Sequence, residues 1–471
     1  MKREFDLLVY GSTGFTGGLV VSYLARTAPA ELCWAVAGRD AAKLRALARD
    51  AAAEAASTGS LAQAPAIVVA DARCSEAVDA MAQRTRVILS TAGPFRHHGT
   101  PVIAACVRQS TDYVDINGEV AWHRQMIDEH DAAARRAGVR LLMSAGFDSA
   151  PSDLGALWIA QRARDELNAP LLRCSAFVAM RGQLSGGTVL SGILSEESSE
   201  AASVASDPFA LGGGQSHPSQ SHPSQSDAAE RCAADPRLID PRLIDPSGAR
   251  FEPLVGSWTS PFGMARINTR IVRRTIALLE ERAPTDAARL FAPGFVYSEC
   301  ALALDETAAR KAARAAAAPP ALLRTLVESG KLPKPGAGPS EEERANGWFR
   351  FYLVGEVAPA APGGAPRRID GTVSGGDPGY GETAKMVAEA ALLLVADRRA
   401  GAHTLHPGGF IHPGGFTTPA ACFGSRLRRR LQSRGIRFEA DASSRGRMDE
   451  TDDRDMSRSD LTARRAVAGK L

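Results

Sequence analysis

The sequence predicts an α/β protein: an N-terminal doubly wound parallel sheet, then a second α+β domain of mostly antiparallel sheet. Three observations carry this. From residue 5 to residue 150, short apolar runs alternate with helical patterns of roughly 10 to 15 residues, as strands buried on both faces and joined by crossover helices do. The first run, "FDLLVY", passes through a glycine-rich turn into "GLVVSYLAR", where Leu19, Val20, Tyr23 and Leu24 can share one helix face. After Pro151 the apolar runs lengthen and take on polar alternation, which suits an antiparallel sheet covered on one face.

The elements follow in order. "LCWAVAGR" reads as the second strand and "DAAKLRALARDAAAEAA" as a helix capped by Asp40. "APAIVVAD" is a third strand, "CSEAVDAMAQR" a helix, "RVILSTAG" a fourth strand and "GTPVIAACVRQS" a helix. "DYVDIN", the long helix "VAWHRQMIDEHDAAARRAG" and the strand "VRLLMSAG" complete a domain over residues 1–150. This succession predicts a Rossmann fold. A second domain is expected over 151–378, with long strands in "LLRCSAFVAMRGQLSGGTVLSGI", "FVYSECALAL", "WFRFYLVGEV" and "PRRIDGTVSGG". Residues 379–440 supply the helices "GYGETAKMVAEAALLLVAD" and "PAACFGSRLRRRLQSRG", expected to pack back on the first domain.

Other segments carry little packing information. Residues 212–250 contain "SHPSQ" twice and "DPRLI" twice, and "HPGGF" recurs at 406 and 412. Repeats this short are not solenoid units and read as surface insertions, disordered near 212–250. Residues 441–471 hold seven acidic and seven basic residues with few large apolar ones, and disorder is expected there too.

Composition narrows the function. A net charge of +3 gives no electrostatic reason for a nucleic-acid partner. The seven cysteines are scattered without a C-x-x-C pair, which fits a reducing cytoplasm better than a disulfide framework. The nine histidines do not cluster with cysteines or carboxylates at ligand spacing, so no metal is expected. The chain enters its first strand without a secretory leader. Its most apolar late stretch, "MVAEAALLLVA", is about half a bilayer span and carries Glu389. A cytoplasmic protein is expected, with peripheral membrane contact and a homodimer left open.

Gly11, Gly14 and Gly17 form G-x-x-G-x-x-G between a strand and a helix. There glycines permit a tight turn and close backbone approach to a pyrophosphate, and a helix N-terminus offers free N–H groups. The same spacing also serves a turn whose glycines only allow packing. Gly11, Ser12, Thr13, Gly14, Phe15, Thr16 and Gly17 are the cofactor-binding candidates, with Ser12 and Thr13 adding hydroxyls near phosphate height. At the end of the second strand a carboxylate would select NAD(H), whereas an arginine accommodates a 2′-phosphate. "AGRD" places Arg39 there with Lys43 one turn on, while Asp40 is placed to cap the helix. NADP(H) is therefore favoured over NAD(H).

Gly93 and Pro94 make an abrupt turn after the fourth strand and are assigned to the nicotinamide side of the cofactor. His97 and His98 are loop histidines, as readily solvent-facing as acidic. Asp115, Glu119, Asp148 and Asp153 crowd the next strand ends, and one of them could hold a proton. Alternatively, Asp148, Ser149 and Ser152 cap the following helix. Tyr380 and Lys385 in "GGDPGYGETAK" are donor types used beside a reducible C=C or C=N bond, although Lys385 also suits an exposed helix face. The catalytic candidates are Tyr380, Lys385 and Asp148.

Taken in order, "YGSTGFTG", "WAVAGRDAAKL", "AGPFRHHGTPVIAAC", "TDYVDINGE", "GFDSAPSDLGA", "INTRIVRRT", "GGDPGYGETAKM" and "GGFTTPAACFGSRLRRRL" resemble the saccharopine dehydrogenase-like oxidoreductases, especially the branch of trans-acting enoyl reductases. The resemblance spans most of residues 5–440. It implies an NAD(P)-binding domain joined to a substrate domain, and reduction of a double bond in a lipid or polyketide chain built by a partner synthase. The glycine motif carries over to Gly11, Gly14 and Gly17, and the "AGR" element to Arg39. His98 departs from the pattern, where a tyrosine commonly precedes the glycine.

The sequence thus supports an NADP(H)-dependent reductase of an enoyl acyl chain, presented by a synthase or as a thioester. The alternatives are an imine-forming amino-acid dehydrogenase and a non-catalytic NADP-binding protein docked to a membrane or synthase. The last draws on residues 423–434, where Phe423, Leu427 and Leu431 line one face among five arginines.

Overall fold

The computed structural model describes residues 3–196, 204, 206–212, 241–334, 336–361, 364–401 and 414–440. Most of the expected insertion near 212–250, the first "HPGGF" copy and the 441–471 tail lie outside these residues, whereas the second copy is described from Gly414.

The strands of the first sheet begin with β1 (Phe5–Tyr10), β2 (Trp34–Gly38), β3 (Ala66–Val69), β4 (Thr85–Ser90), β5 (Asp112–Asp115) and β6 (Arg140–Leu142). Helices α1 (Phe15–Thr27), α2 (Ala41–Ser57), α3 (Ser75–Gln83), α4 (Phe95–Arg108) and α5 (Val120–Ala137) connect them, and α6 (Ala150–Leu167) leads out. β1 shows why an unbroken apolar run is needed. Leu7 and Val9 enter one core cluster, while Phe5, Leu8 and Tyr10 enter the other. Each fully buried aliphatic side chain contributes about 1.5–3 kcal/mol. β3 is the edge strand, and only Val68 of its four residues is buried.

The second sheet uses β7 (Leu171–Arg181), β8 (Arg250–Glu252), β9 (Ser257–Ser260), β10 (Phe291–Ala303), β11 (Trp348–Val357) and β12 (Arg367–Gly375). The C-terminal segment then adds β13 (Gly415–Thr417) to the first sheet and β14 (Arg437–Ala440) to the second. The strand orders are β13-β6-β5-β4-β1-β2-β3 and β14-β12-β11-β7-β10-β9-β8. All pairs of the first sheet are parallel, whereas in the second only β7 with β10 is. The fold is the α/β class expected.

Three local readings need correction. The run from Leu171 to Ile193 is not one strand, because β7 stops at Arg181 and α7 (Gly186–Glu196) follows. Val189 and Ile193, four residues apart, are both buried, and the intervening Ser191 and Gly192 disguise that helical period. The insertion is shorter than expected at its far end, since Asp245 pairs with Arg270 and β8 begins at Arg250. "PAACFGSRLRRRLQSRG" is not one helix. It breaks at Gly424, φ 52°, into Pro419–Phe423 and Ser425–Ser433. The strands that flank it are three and four residues long, too short to carry a periodicity.

The helix Gly381–Arg399 returns to the first sheet and is held by buried polar links. Tyr23 donates to Glu389 at 2.6 Å, and Arg430 and Arg434 also reach that carboxylate. Arg140 bridges Asp112 (2.6 Å) and Asp397 (2.9 Å), and Arg399 binds Asp6 at 2.6 Å. Arg426 pairs with Asp397 at 2.6 Å. Three of the five arginines, open to a lipid-facing or a plain solvated reading, instead pair with the buried carboxylates Glu389 and Asp397 of the neighbouring helix. No described helix is long and apolar enough to cross a membrane.

Candidate active site

β1 delivers the chain to Gly11 at φ +78°, where an added Cβ would stand 2.7 Å from the Ala92 amide nitrogen. At Gly17 it would stand 2.3 Å from the Gly11 carbonyl oxygen. Both positions therefore need glycine for close backbone packing. Gly14 is the N-cap of α1, which has no side-chain cap and no acidic residue in its first turn. Its leading N–H groups keep their partial positive charge for an outside anion. This bare, glycine-walled helix start fits a cofactor pyrophosphate.

The other turn residues divide. Ser12 is buried and its hydroxyl donates to the Ala37 carbonyl at 3.1 Å. It fastens the turn to β2, so it points away from phosphate height, contrary to expectation. Thr13 is exposed, and Phe15 and Thr16 are half-buried in the first turn of α1.

Arg39 and Lys43 are exposed where β2 passes into α2. Asp40 accepts from the amides of Ala42 (3.0 Å) and Lys43 (3.1 Å), the capping role expected of it, and these bonds hold its carboxyl below the usual range. Beyond β3, Arg73 pairs with Asp71 at 2.6 Å. Burial and the charges of His97 and Arg39 lower the pKa of His98, with Asp71 and Arg73 also acting on it. His98 thus lies within electrostatic reach of Arg39. Arg73, an exposed cation here, went unnoticed in the sequence.

Gly93 is exposed and Pro94 is the N-cap of α4. Three of the four carboxylates that crowd the strand ends are occupied structurally. Glu119 accepts from the amides of Phe95 (2.9 Å) and Arg96 (3.1 Å), capping α4. Asp115 accepts from the amides of Ser144 (2.9 Å) and Asn117 (3.2 Å) and joins two loops. Asp153 accepts from the Ala420 amide at 2.7 Å and from the Thr275 hydroxyl, while its burial pushes it up to about 7.

Asp148 is different. Its Oδ1 is buried without a hydrogen-bond partner, and enclosure together with the Glu299 carboxylate pushes the carboxyl up to about 7. It does not cap α6. Ser149 holds that N-cap position, and its buried hydroxyl makes no cap bond either. Glu299 comes from β10 and accepts from the Tyr297 hydroxyl (2.6 Å) and the Asn268 amide (2.9 Å). Its burial raises its pKa as well. Asn117 Nδ2 and Asn268 Oδ1 are also buried without partners. Buried polar atoms without partners are rare, and Asp148, Ser149, Asn117 and Asn268 are among the described residues that carry one.

Tyr380 is buried. Its hydroxyl accepts from the Ser185 amide and lies 3.1 Å from Thr188 Oγ1, and burial raises its pKa. It anchors the start of α7. One turn along the same helix, Thr383 accepts from the Phe147 amide at 3.0 Å, which links Tyr380 to the Asp148 loop without contact between the two. Lys385 donates to Glu382 at 2.9 Å, and Glu382 accepts from the Gly376 amide at 3.1 Å. Lys385 is thus held in a local pair. Of the three catalytic candidates, Asp148 alone has a buried polar atom without a hydrogen-bond partner.

Glu299, Asn268 and Asn117 were missed as site residues. Glu299 had one signal, a carboxylate inside the apolar run "FVYSECALAL". Among the described residues, no three His, Cys, Asp or Glu side chains are grouped to hold a metal.

Residues 7–142 match the family model of the saccharopine dehydrogenase NADP binding domain. A Mycobacterium tuberculosis relative named as a trans-acting enoyl reductase is 33% identical over 452 residues, covering 93% of this chain and 97% of that protein. The trans-acting enoyl reductase of Mycobacterium leprae is 32% identical over 457 residues, covering 92% and 97%. Among solved structures, apo saccharopine dehydrogenase (L-Glu forming) from Saccharomyces cerevisiae aligns over 93% of this chain and 99% of that one, with a TM-score of 0.45 and 13% identity. The chain belongs to the saccharopine dehydrogenase-like family, in its trans-acting enoyl reductase branch, and is an NADP(H)-dependent oxidoreductase.

Proposed function

We propose that this oxidoreductase reduces the double bond of an enoyl thioester, in an acyl chain handed over by a partner synthase. The names of its mycobacterial relatives support the substrate class. The observation that carries the chemistry is Asp148, an enclosed carboxyl pushed up to about 7 with one oxygen unclaimed by the protein.

Gly11, Gly14 and Gly17 would hold the cofactor's pyrophosphate, with Arg39 and Lys43 at its 2′-phosphate and Gly93–Pro94 at its nicotinamide side. When bound, NADPH would supply the hydride for the substrate β-carbon. Asp148 then gives its carboxyl proton to the α-carbon and becomes a carboxylate, so two hydrogens are added and no other bond breaks. A carboxyl with a pKa near the working pH suits such a transfer. Asn117 Nδ2 and the Ser149 hydroxyl, both free to donate, would hydrogen-bond the thioester oxygen as negative charge builds there. Tyr380 and Lys385 serve as positioning residues, Tyr380 by fixing α7 and Lys385 by neutralising Glu382.

An amino-acid substrate would require cations for its carboxylates. The buried Arg273 and Arg274 donate instead to the carbonyls of Pro208 and Leu211. The charge that acts on Asp148 is that of another carboxylate, Glu299. NADPH oxidation measured against enoyl thioesters, and against α-keto acid plus amine pairs, tests the reading. Turnover is expected with the enoyl thioesters. Turnover with keto acid and amine alone would overturn it.

A further inference from the structure

The ring of Phe15, the first residue of α1, is contacted from the second half of the chain on several sides. Tyr380 meets it edge-on with centroids 5.1 Å apart and an interplanar angle of 81°. Gly338 lies so close that an added Cβ would stand 2.5 Å from the ring. The Arg344 guanidinium sits over the same ring, 5.7 Å from its centroid. The segment that carries Gly338 and Arg344 is fastened locally. The Gly186 amide of α7 donates to the Ala337 carbonyl at 3.0 Å. Ser340 and Glu343 form a reciprocal capping box at the start of the short helix Glu341–Ala345.

Arg344 donates through one nitrogen to the Pro339 carbonyl at 2.7 Å, and no ion pair engages it among the described residues. The neighbouring glutamates do not neutralise it. Glu343 is bound back to the Ser340 amide, and Glu341 and Glu342 are exposed. Asp377 accepts from the amides of Tyr380 (3.2 Å) and Gly381 (2.8 Å), and the Arg344 charge acts on its carboxyl without an ion-pair contact. A guanidinium with donors to spare is thus held over the residue whose amide opens the anion-binding end of α1. An arginine fork in that place suits a phosphate group.

We propose that Arg344 is a cofactor-binding residue supplied from outside the N-terminal domain, which pairs with the pyrophosphate held at the glycine turn. The pyrophosphate is common to both nicotinamide cofactors. Arg344 therefore contributes to NADPH and NADH alike, in contrast to the 2′-phosphate role of Arg39.

The test is binding of NADPH and of NADH, followed by the change in nucleotide fluorescence, with no substrate present. Arg344→Gln keeps much of the stem over Phe15 and removes the charge, and Arg344→Lys restores a charge without the fork. Arg344→Gln is expected to weaken both nucleotides by about tenfold or more, the range for a charged hydrogen bond. Arg344→Lys should recover part of that loss, and the wild-type affinity should fall more steeply with salt than that of Arg344→Gln. Equal losses in Arg344→Gln and Arg344→Lys, with an unchanged salt slope, would make Arg344 a packing residue and overturn the proposal. So would a loss confined to NADPH, or no loss at all.

Discussion

The two ends of the crevice are built in opposite ways. At the cofactor end the glycine turn works through backbone, and Arg39 and Lys43 stand exposed in solvent. At the proposed substrate end, Asp148 and Glu299 are carboxyls taken out of water, brought together from α6's leading loop and from β10. The first site needs close approach, and its charges are screened by solvent. The second works by the cost of burying charge, which raises carboxyl pKa values and keeps a proton available near neutrality. Binding and chemistry thus depend on different physics, and substitutions should separate them.

The largest separation is expected at Gly17. In Gly17→Ala the new Cβ, 2.3 Å from a carbonyl oxygen, forces the turn open. NADPH binding should be lost, and overpacking should cost about 1–3 kcal/mol of stability by denaturant titration. Gly18→Ala is the internal control. Nothing lies within 4 Å of its added Cβ, so binding and stability should hold. A smaller effect is expected at Arg39. Arg39→Ala should weaken NADPH by about tenfold and leave NADH unchanged in the same fluorescence titration, because an exposed charged hydrogen bond to the 2′-phosphate is all that is lost. Equal losses for both nucleotides would move the 2′-phosphate elsewhere, with Arg73 the next cation to examine.

At the substrate end the finer effect is a displacement of pH dependence. Glu299 lies close enough for its charge to raise the Asp148 pKa. Glu299→Gln removes that charge, so the Asp148 carboxyl should lose its proton at lower pH. The alkaline fall in turnover should shift downward, with NADPH affinity unchanged. A fall left at the wild-type pH would show that enclosure alone sets the Asp148 pKa.

The contrast between the two ends also explains what could be read in advance. The glycine turn, Arg39 and the Asp40 cap are local, set by residues close together in the chain and by a strand–turn–helix context with a strong apolar pattern. The crowd of carboxylates after the fifth and sixth strands was visible as well, but its roles were not. Glu119 and Asp115 bind amides of nearby loops, whereas Asp153 is claimed by Thr275 and Ala420 from far along the chain. Only tertiary packing separates Asp148 from them. Likewise β13 pairs with β6 from the far end of the chain and β14 with β12 across the intervening helices, and strands of three and four residues leave no period to read. The arginines near residue 430 read as a surface because their partners, Glu389 and Asp397, lie on another helix.

The most direct test of the account is the pH dependence of enoyl thioester reduction under saturating NADPH, in the wild type and in Asp148→Asn. The wild type should lose turnover as pH rises through about 7, where the Asp148 carboxyl gives up its proton. Asp148→Asn should fall by about 10²–10⁴-fold, the contribution of a positioned acid, and should lose that alkaline limb while binding NADPH normally. If Asp148→Asn keeps both near-normal turnover and the wild-type limb, Asp148 is not the proton donor and the central claim fails.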